Sequence, residues 1–366
     1  MQSSILAQTD HFPIVREGKV YSGKVRSVYW LTQKDSQRLI EQNSYPIDPD
    51  AELGIMIISD RISAFECNWS GGPGLEGIPG KGAALNAISL HWFNMLAEQG
   101  LAGNHIVATP HPLVWLIQKA KPLRFEAIGR QYIAGSMWRS YAKGNDVFAG
   151  VTLPAGLQKH QKLDELLITP STKGTLYGLP GIPEEEDTPI TAEDIRSNYE
   201  VFGLKEPDEL SRVEYLLTQG FKLISDEYAK MGQILVDTKF EFGTVLDAHK
   251  NRKIIFIDEV ATPDSSRIWA MDAYCQGKTV ELCKENFRRF LLGTLDNDIL
   301  LDPKRMDDRK ALAASYQVPL EEIMEISGRY KSLVKTVTGK DLPEIKAPES
   351  EVMDVLSDFG LLESKS

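Results

Sequence analysis

Residues 235–243 read LVDTKFEFG, and apolar and polar side chains alternate along them. The even positions hold apolar residues and one threonine, whereas the odd positions hold Asp237, Lys239 and Glu241. Alternate side chains of a β-strand point to opposite faces. The pattern therefore predicts a strand with one apolar face and one face that carries two carboxylates around an ammonium. The apolar run IIFIDEV (254–260) follows the short turn HKNR, and we expect it to pair with this strand as an antiparallel hairpin.

A hairpin centred on HKNR would place Asp258 opposite position 243, on the same face as Glu241 and within about 5–8 Å of it. Two carboxylates this close repel each other unless a cation lies between them or one of them is protonated. Mg²⁺ binds one or two protein carboxylates together with phosphate oxygens. Two interpretations are open at this point: a magnesium site, or a solvent-facing ladder that Lys239 neutralises.

The segment DEVATPDSSRIW (258–269) places charged residues directly after a strand end, where active sites gather. An Asx or Ser turn explains Asp264 and Ser265, but it does not explain Arg267 beside them.

Two further segments supply cations that suit phosphate groups. In SGKVRSVY (22–29), Lys24 and Arg26 follow Gly23 on one predicted strand face, as in a flap over a polyphosphate, although exposed strands also carry such pairs. The segment is neither a GxxxxGK[ST] loop nor a GxGxxG loop. In RQYIAGS (130–136), an arginine, a close-approach glycine and a serine form a cradle for a phosphate monoester. The same serine also fits the N-cap of a helix.

The composition bounds the class of protein. Of 366 residues, 42% are hydrophobic and 25% are charged, which is typical of globular proteins. The formal net charge of −11 argues against a nucleic-acid or anionic-membrane binder, because such proteins carry a basic excess. Three cysteines without paired spacing predict free thiols. The N-terminal residues lack the basic-then-apolar pattern of a secretory signal peptide. No apolar segment approaches the roughly 18 residues of a membrane-spanning helix, so we expect a cytoplasmic protein.

The order of elements predicts an α+β fold. Strands dominate residues 1–70, with 33–52 as a long hairpin connection, and a helix covers 84–100. Strands resume at 105–110 and 124–133, residues 154–192 are irregular, and helices are predicted at 193–202 and 208–231. We predict three domains: a strand-rich one at 1–120, a central catalytic one at 121–290, and a helical C-terminal extension at 291–366 packed on the catalytic domain.

Seven segments in this order resemble the signature blocks of the SAICAR synthetase family, ATP-dependent ligases of purine biosynthesis. They are YSGKVRSVY, SDRISAFE, IPGKGAALN, EAIGRQYIAGS, TPSTKG, LVDTKFEFG and IDEVATPDSSRIW. The resemblance runs from about residue 21 to 269. It implies that a smaller N-terminal domain covers a larger α+β domain, with ATP between them. The implied reaction joins 5-amino-1-(5-phosphoribosyl)imidazole-4-carboxylate, the ribotide, to L-aspartate at the expense of ATP.

The resemblance also implies roles for individual residues. The ATP-binding set is Gly23, Lys24, Arg26, Glu126, Glu241 and Asp258. Within that set, Glu241 and Asp258 would hold Mg²⁺. The substrate-binding set is Arg130, Gly135, Ser136, Ser171, Lys173, Ser265, Ser266 and Arg267. The catalytic pair would be Lys239 and Asp264, near the imidazole carboxylate and ribose.

The loop 171–187 departs from the family pattern, because Glu186 stands where a histidine is usual. The implied partners are small molecules, with a monomer or a homodimer equally open. Two alternatives remain: a small-molecule kinase that uses the same ATP site, and a non-catalytic nucleotide-binding protein.

Overall fold

The structure, a computed structural model, describes residues 4–363 and contains two five-stranded sheets. The strands are β1 (Tyr21–Ser22), β2 (Arg26–Trp30), β3 (Leu53–Ile58), β4 (Ile62–Ala64), β5 (Cys67–Trp69), β6 (Ile106–His111), β7 (Val114–Gln118), β8 (Lys121–Tyr132), β9 (Val147–Phe148), β10 (Val151–Thr152), β11 (Lys162–Thr172), β12 (Gln233–Leu246), β13 (Arg252–Ile257) and β14 (Ser266–Ala270). The helices are α1 (Gln33–Asn43), α2 (Lys81–Glu98), α3 (Gly135–Tyr141), α4 (Ala192–Ser197), α5 (Glu209–Lys230), α6 (Met271–Cys275), α7 (Glu285–Thr294), α8 (Asn297–Leu301), α9 (Met306–Ser315), α10 (Leu320–Thr338) and α11 (Pro348–Asp358).

The first sheet has the strand order β1-β2-β3-β7-β6 and is antiparallel throughout. Its middle strand β3, LGIMII, is buried along its whole length, as expected for an apolar run with neighbours on both sides. Helix α2 packs against β3, α5 and α10. This sheet forms one wall of the site described below.

The second sheet has the order β11-β8-β12-β13, and β14 also pairs with β12. The even residues of β12 from Val236 to Phe242 are at most 1% exposed, and α5 packs against this strand. The predicted alternation, the hairpin of β12 with β13 and the α+β fold class are confirmed. The odd residues of β12 form the other wall of the site.

The C-terminal helices pack largely on the N-terminal part of the chain. Helix α9 contacts β5, α10 contacts α2 and α11 contacts β6, and Ile14 forms a β-bridge with Leu362. Helix α10 also contacts Asp264 and Glu281 of the central segment, so the predicted packing of residues 291–366 and the three domain boundaries stay predictions. None of the helices within residues 4–363 is long and apolar enough to cross a membrane.

Two segments differ from the predicted elements. Residues 33–52 contain helix α1, whose first turn is capped by the Thr32 hydroxyl accepting from the Asp35 amide at 3.1 Å. Only two of its residues, Leu39 and Ile40, are apolar, so the sequence shows no apolar period there. The supposedly irregular 154–192 contains β11, an edge strand that tolerates Pro170 because edge strands need fewer ladder hydrogen bonds.

Candidate active site

The polar face of β12 separates two cavities. Asp237 and Lys239 line the smaller one, of about 270 Å³, and Glu241 lines the larger one, of about 840 Å³. Lys239 Nζ lies 2.8 Å from a carboxylate oxygen of Glu126 on β8 and also contacts Glu241. The Lys239 ion pairs thus stand at the boundary between the cavities, which explains why the strand presents a charged face.

The larger cavity lies between the two sheets and has mostly apolar walls. Its apolar lining is Val28, Trp30, Met56, Ile117, Pro122 and Ile257. Its charged residues include Arg26, Lys173, Glu241 and Asp258, and Gly23 also lines it. Apolar walls with a few convergent polar groups are typical of nucleotide and cofactor sites.

Arg26 and Lys24 occupy different environments. Arg26 on β2 is buried and donates to Asp258 at 3.0 Å and to Glu259 at 2.9 Å. Lys24 lies in the turn before β2, is about half exposed, and pairs with Glu66. The prediction that the two cations share a strand face is wrong, because the Gly23 amide bonds the Arg26 carbonyl and closes a turn over Lys24.

Asp258 reaches the larger cavity by a route that differs from the predicted register. Glu241 faces Ile257, and Gly243 faces Ile255 rather than Asp258. The turn is wider than HKNR, since Asp247 caps it by accepting from the His249 and Asn251 amides. Asp258 follows the end of β13 with φ 61°, a left-handed conformation that redirects the chain.

At the charged end of the larger cavity, three cations lie near Asp258. Burial opposes the charge of Asp258, but Arg26, Lys239 and Lys173 lower its pKa to about 2. Burial also opposes the charge of Lys239, yet Glu126 and Asp258 keep its pKa raised. Lys173 contacts Glu241, and burial lowers the pKa of this lysine. Cations and carboxylates thus alternate where the two cavities meet.

The smaller cavity holds two arginines against the buried carboxylate of Asp237. Asp237 accepts from Arg130 at 3.3 Å and from Arg267 at 2.7 Å, and it is 4% exposed. Gly135 has φ +56°, and a Cβ there would lie 2.4 Å from Arg267 Nη2. Ser136 follows at the start of α3 and lines the same cavity. The predicted Arg130, Gly135, Ser136 and Arg267 are brought together around this cavity.

Asp264 lies in the wall of the smaller cavity and is held from three directions. Its Oδ2 lies 2.8 Å from Lys81 and 3.3 Å from Lys284, and its Oδ1 accepts from the Tyr330 hydroxyl at 2.5 Å. Burial opposes the charge, but the two lysines hold the pKa of Asp264 well below its usual range.

The two serines after Asp264 also line the smaller cavity. Ser265 contacts the Thr262 hydroxyl at 3.1 Å, and Ser266 donates to Thr238 at 2.8 Å. Ser171 pairs with Glu126 across β8 and β11 and lines neither cavity.

The loop after Lys173 is anchored by burial of Leu176 and Ile182. It brings Glu186 to the larger cavity. Burial and the neighbouring Glu126 raise the pKa of Asp187, and the ammonium of Lys239 opposes this shift. Within residues 4–363, no cluster of three or more His, Cys, Asp or Glu side chains is arranged to hold a metal ion.

Several site residues carried no assignment from the sequence: Lys81, His105, Asp237, Lys284, Glu285, Arg288 and Tyr330. Asp237 could have been found, because it shares the odd face of β12 with Lys239. Lys81 lies in the IPGKG block, which marked a polar cluster without a role. The remaining residues come from segments in which the sequence shows no recognisable motif.

An apolar cavity with a charged end, joined through Lys239 to a smaller basic cavity, is the arrangement expected of an enzyme that brings two small-molecule ligands together. The sequence model of the family described as SAICAR synthetase matches residues 19–299. The chain belongs to the SAICAR synthetase family, and it is a ligase.

Relatives at higher identity match almost end to end. The phosphoribosylaminoimidazole-succinocarboxamide synthase of Shewanella frigidimarina is 54% identical over 357 residues, 97% of either chain. That of Vibrio cholerae is 52% identical over 365 residues, 99% of either chain. Among solved structures, the Saccharomyces cerevisiae SAICAR synthase complexed with SAICAR is 25% identical with a TM-score of 0.64, covering 91% of this chain and 97% of that one. A SAICAR synthetase complexed with ADP shares the fold at 22% identity and a TM-score of 0.56, covering 89% and 100%.

Proposed function

We propose that this ligase forms an amide between the 4-carboxylate of the ribotide and the amine of L-aspartate, driven by ATP, with ATP in the larger cavity and the ribotide in the smaller one. The family and the near full-length relatives named for this reaction support it. The single observation that carries the site assignment is the contact of Lys239, in the smaller cavity, with Glu241, in the larger one.

The larger cavity suits ATP by the chemistry of its two ends. Its apolar walls match the faces of a purine, and its charged end, with Arg26 and Lys173, matches the phosphates. Gly23 and Lys24 belong to the turn above this end. ADP is the ligand in one solved structure of the same fold, and that observation concerns that protein.

The smaller cavity suits a phosphate monoester by its charge. Its cationic lining is Arg130, Lys239, Arg267, Lys284 and Arg288, and its carboxylates are Asp237, Asp264 and Glu285. The cavity thus has two more cations than carboxylates, which complements the two negative charges of a phosphate monoester. Guanidinium groups bind phosphate oxygens through forked hydrogen bonds, so we assign the 5′-phosphate to Arg130, Ser136 and Arg267.

The chemistry follows from placing the two ligands on either side of Lys239. A carboxylate oxygen of the ribotide attacks the γ-phosphorus of ATP, the bond to the β-phosphate oxygen breaks, and ADP leaves. The aspartate amine then attacks the acyl carbon, loses a proton, and expels inorganic phosphate. Lys239 stabilises the negative charge at the boundary during the first step, because phosphoryl transfer depends chiefly on positioning and charge neutralisation.

Glu241 and Asp258 are the residues that would hold a divalent ion. Both line the larger cavity, Asp258 has a lowered pKa, and carboxylate oxygens are ligands that Mg²⁺ prefers. The ion would neutralise phosphate charge when bound. The ammonium of Lys173 contacts Glu241 and is attracted by the charge of Asp258. This part of the cavity therefore favours cations.

A coupled assay of ADP release tests the reaction. With ATP, Mg²⁺ and the ribotide, we expect sustained ADP release only when aspartate is present. A kinase that stops at phosphorylation, the less favoured alternative, would release ADP equally without aspartate.

The three unpaired cysteines support the predicted cytoplasmic compartment.

A further inference from the structure

Helix α10 contacts both segments that supply lysines to Asp264. Its buried stripe, Ile323, Ile326, Tyr330, Leu333 and Val337, packs toward α2. The Ser327 hydroxyl donates to the Pro79 carbonyl at 2.6 Å, just before Lys81. Arg329 lies 3.5 Å from the Glu281 carbonyl, just before Lys284. A helix far from the site in sequence therefore joins the walls of the smaller cavity.

The three partners of Asp264 divide unequally between its two oxygens. Lys81 and Lys284 both contact Oδ2, whereas Oδ1 accepts only from the Tyr330 hydroxyl among side chains of the described residues. Without that hydroxyl, both remaining side-chain bonds end on one oxygen, and the carboxylate can turn about its Cβ–Cγ bond. The phenol therefore fixes the plane of the carboxylate.

The burial of this group makes the tyrosine bond consequential. Asp264 has a side chain only 5% exposed, and Tyr330 is 3% exposed. A hydrogen bond from a hydroxyl to a buried carboxylate is among the stronger kinds in proteins. Burial and the nearby Asp264 raise the pKa of Tyr330, so the phenol remains a donor at every working pH.

We propose that Tyr330 is a positioning residue that orients the Asp264 carboxylate toward the ribotide, so that the helices after residue 290 form part of the substrate site. The proposal rests on the proposed function, which assigns Asp264 to the smaller cavity. The Asp264 amide contacts the Thr262 hydroxyl at 3.3 Å, which ties the carboxylate to the turn that also presents Ser265.

A double-mutant cycle on the full chain tests the proposal. The variants are Tyr330→Phe, Asp264→Asn and both together, each assayed for the KM of the ribotide, the KM of ATP and kcat. Tyr330→Phe removes one charge-assisted hydrogen bond, so we expect the KM of the ribotide to rise about tenfold with the KM of ATP unchanged. Because Tyr330 acts through Asp264, the double variant should match Asp264→Asn alone.

Tyr29→Phe is the matched control. Its hydroxyl is also fully buried and donates to the Thr9 carbonyl at 2.7 Å, away from the smaller cavity. We expect this variant to lower the melting temperature and to leave the KM of the ribotide unchanged.

The possible outcomes distinguish a failure of the Tyr330 proposal from a failure of the proposed function. If Asp264→Asn raises the KM of the ribotide while Tyr330→Phe changes only the melting temperature, Tyr330 is merely structural and the inference is overturned. If the two effects multiply in the double variant, Tyr330 acts independently of Asp264, which also overturns it. If Asp264→Asn leaves the KM of the ribotide unchanged, the assignment of Asp264 within the proposed function fails as well.

Discussion

Replacing Arg267 by alanine should weaken ribotide binding far more than ATP binding. The Arg267 side chain is 19% exposed, lies in the smaller cavity and is held by Asp237 at 2.7 Å. Burial opposes its charge less than Asp237 favours it, so its pKa is raised and it is always a cation. The residue is therefore prepared to bind an anion.

The magnitude follows from the hydrogen bonds that a forked guanidinium makes to phosphate oxygens. Two charge-assisted bonds at about 1.5–3 kcal/mol each set an upper range of about 3–6 kcal/mol. Arg130 remains beside Asp237 and recovers part of this loss. We therefore expect about 3 kcal/mol, which is about a hundredfold rise in the KM of the ribotide.

Steady-state kinetics with each substrate varied in turn measure the effect. Arg267→Lys keeps the charge but loses the fork, so its KM should lie between the wild type and the alanine variant. Arg196→Ala is the control, because Arg196 pairs with Glu214 and lines a different cavity. A ribotide KM equal to the wild-type value in a folded Arg267→Ala protein, or an effect confined to ATP, would refute the assignment.

Three further perturbations test other parts of the account. Glu241→Gln should lower turnover by roughly 10²–10³, measured as ADP release. Glu214→Gln is the control, because Glu214 lines the same separate cavity as Arg196, and it should leave turnover unchanged. Near-normal activity of Glu241→Gln would remove Glu241 from the ATP site. Gly135→Ala should raise the KM of the ribotide, because the added Cβ would lie 2.4 Å from Arg267 and φ at this position is +56°. Gly293→Ala is the control, because an added Cβ there meets open space. Equal KM values for the two variants would contradict the steric argument. Burial lowers the pKa of His105 to about 4, so the unfolded chain binds more protons between about pH 4 and 6.5. The wild type should therefore lose stability relative to His105→Phe as pH falls through that window, by on the order of 3 kcal/mol in urea unfolding, and parallel pH profiles would show that this histidine does not carry the effect.

The strand at the centre of the site was predictable because its signal is local. Alternation along 235–243 depends only on neighbouring residues, and β12 buries one face against α5 in the way that such alternation requires. Likewise, Arg130 and Ser136 lie on one short strand-to-helix segment, so their spacing alone indicated a cradle. In each case, the residues that determine the local structure and the functional side chains lie within about ten consecutive positions.

The features that sequence analysis missed depend on distances that no local pattern encodes. The register of β12 and β13 depended on a turn that Asp247 widens, which shifted the partner of Gly243 from Asp258 to Ile255. The wall around Asp264 joins residues from α2 and α10 with Lys284, segments far apart in the chain. Helix α1 contains only two apolar residues, Leu39 and Ile40, which are too few to show a helical period.

The most direct test is a crystal structure of this protein with ADP, Mg²⁺ and the ribotide bound. The account predicts ADP in the larger cavity with its phosphates toward Arg26 and Glu241, and the 5′-phosphate of the ribotide against Arg130 and Arg267, with Lys239 between the two ligands. Both ligands on one side of Lys239, or a 5′-phosphate bound away from the two arginines, would contradict it.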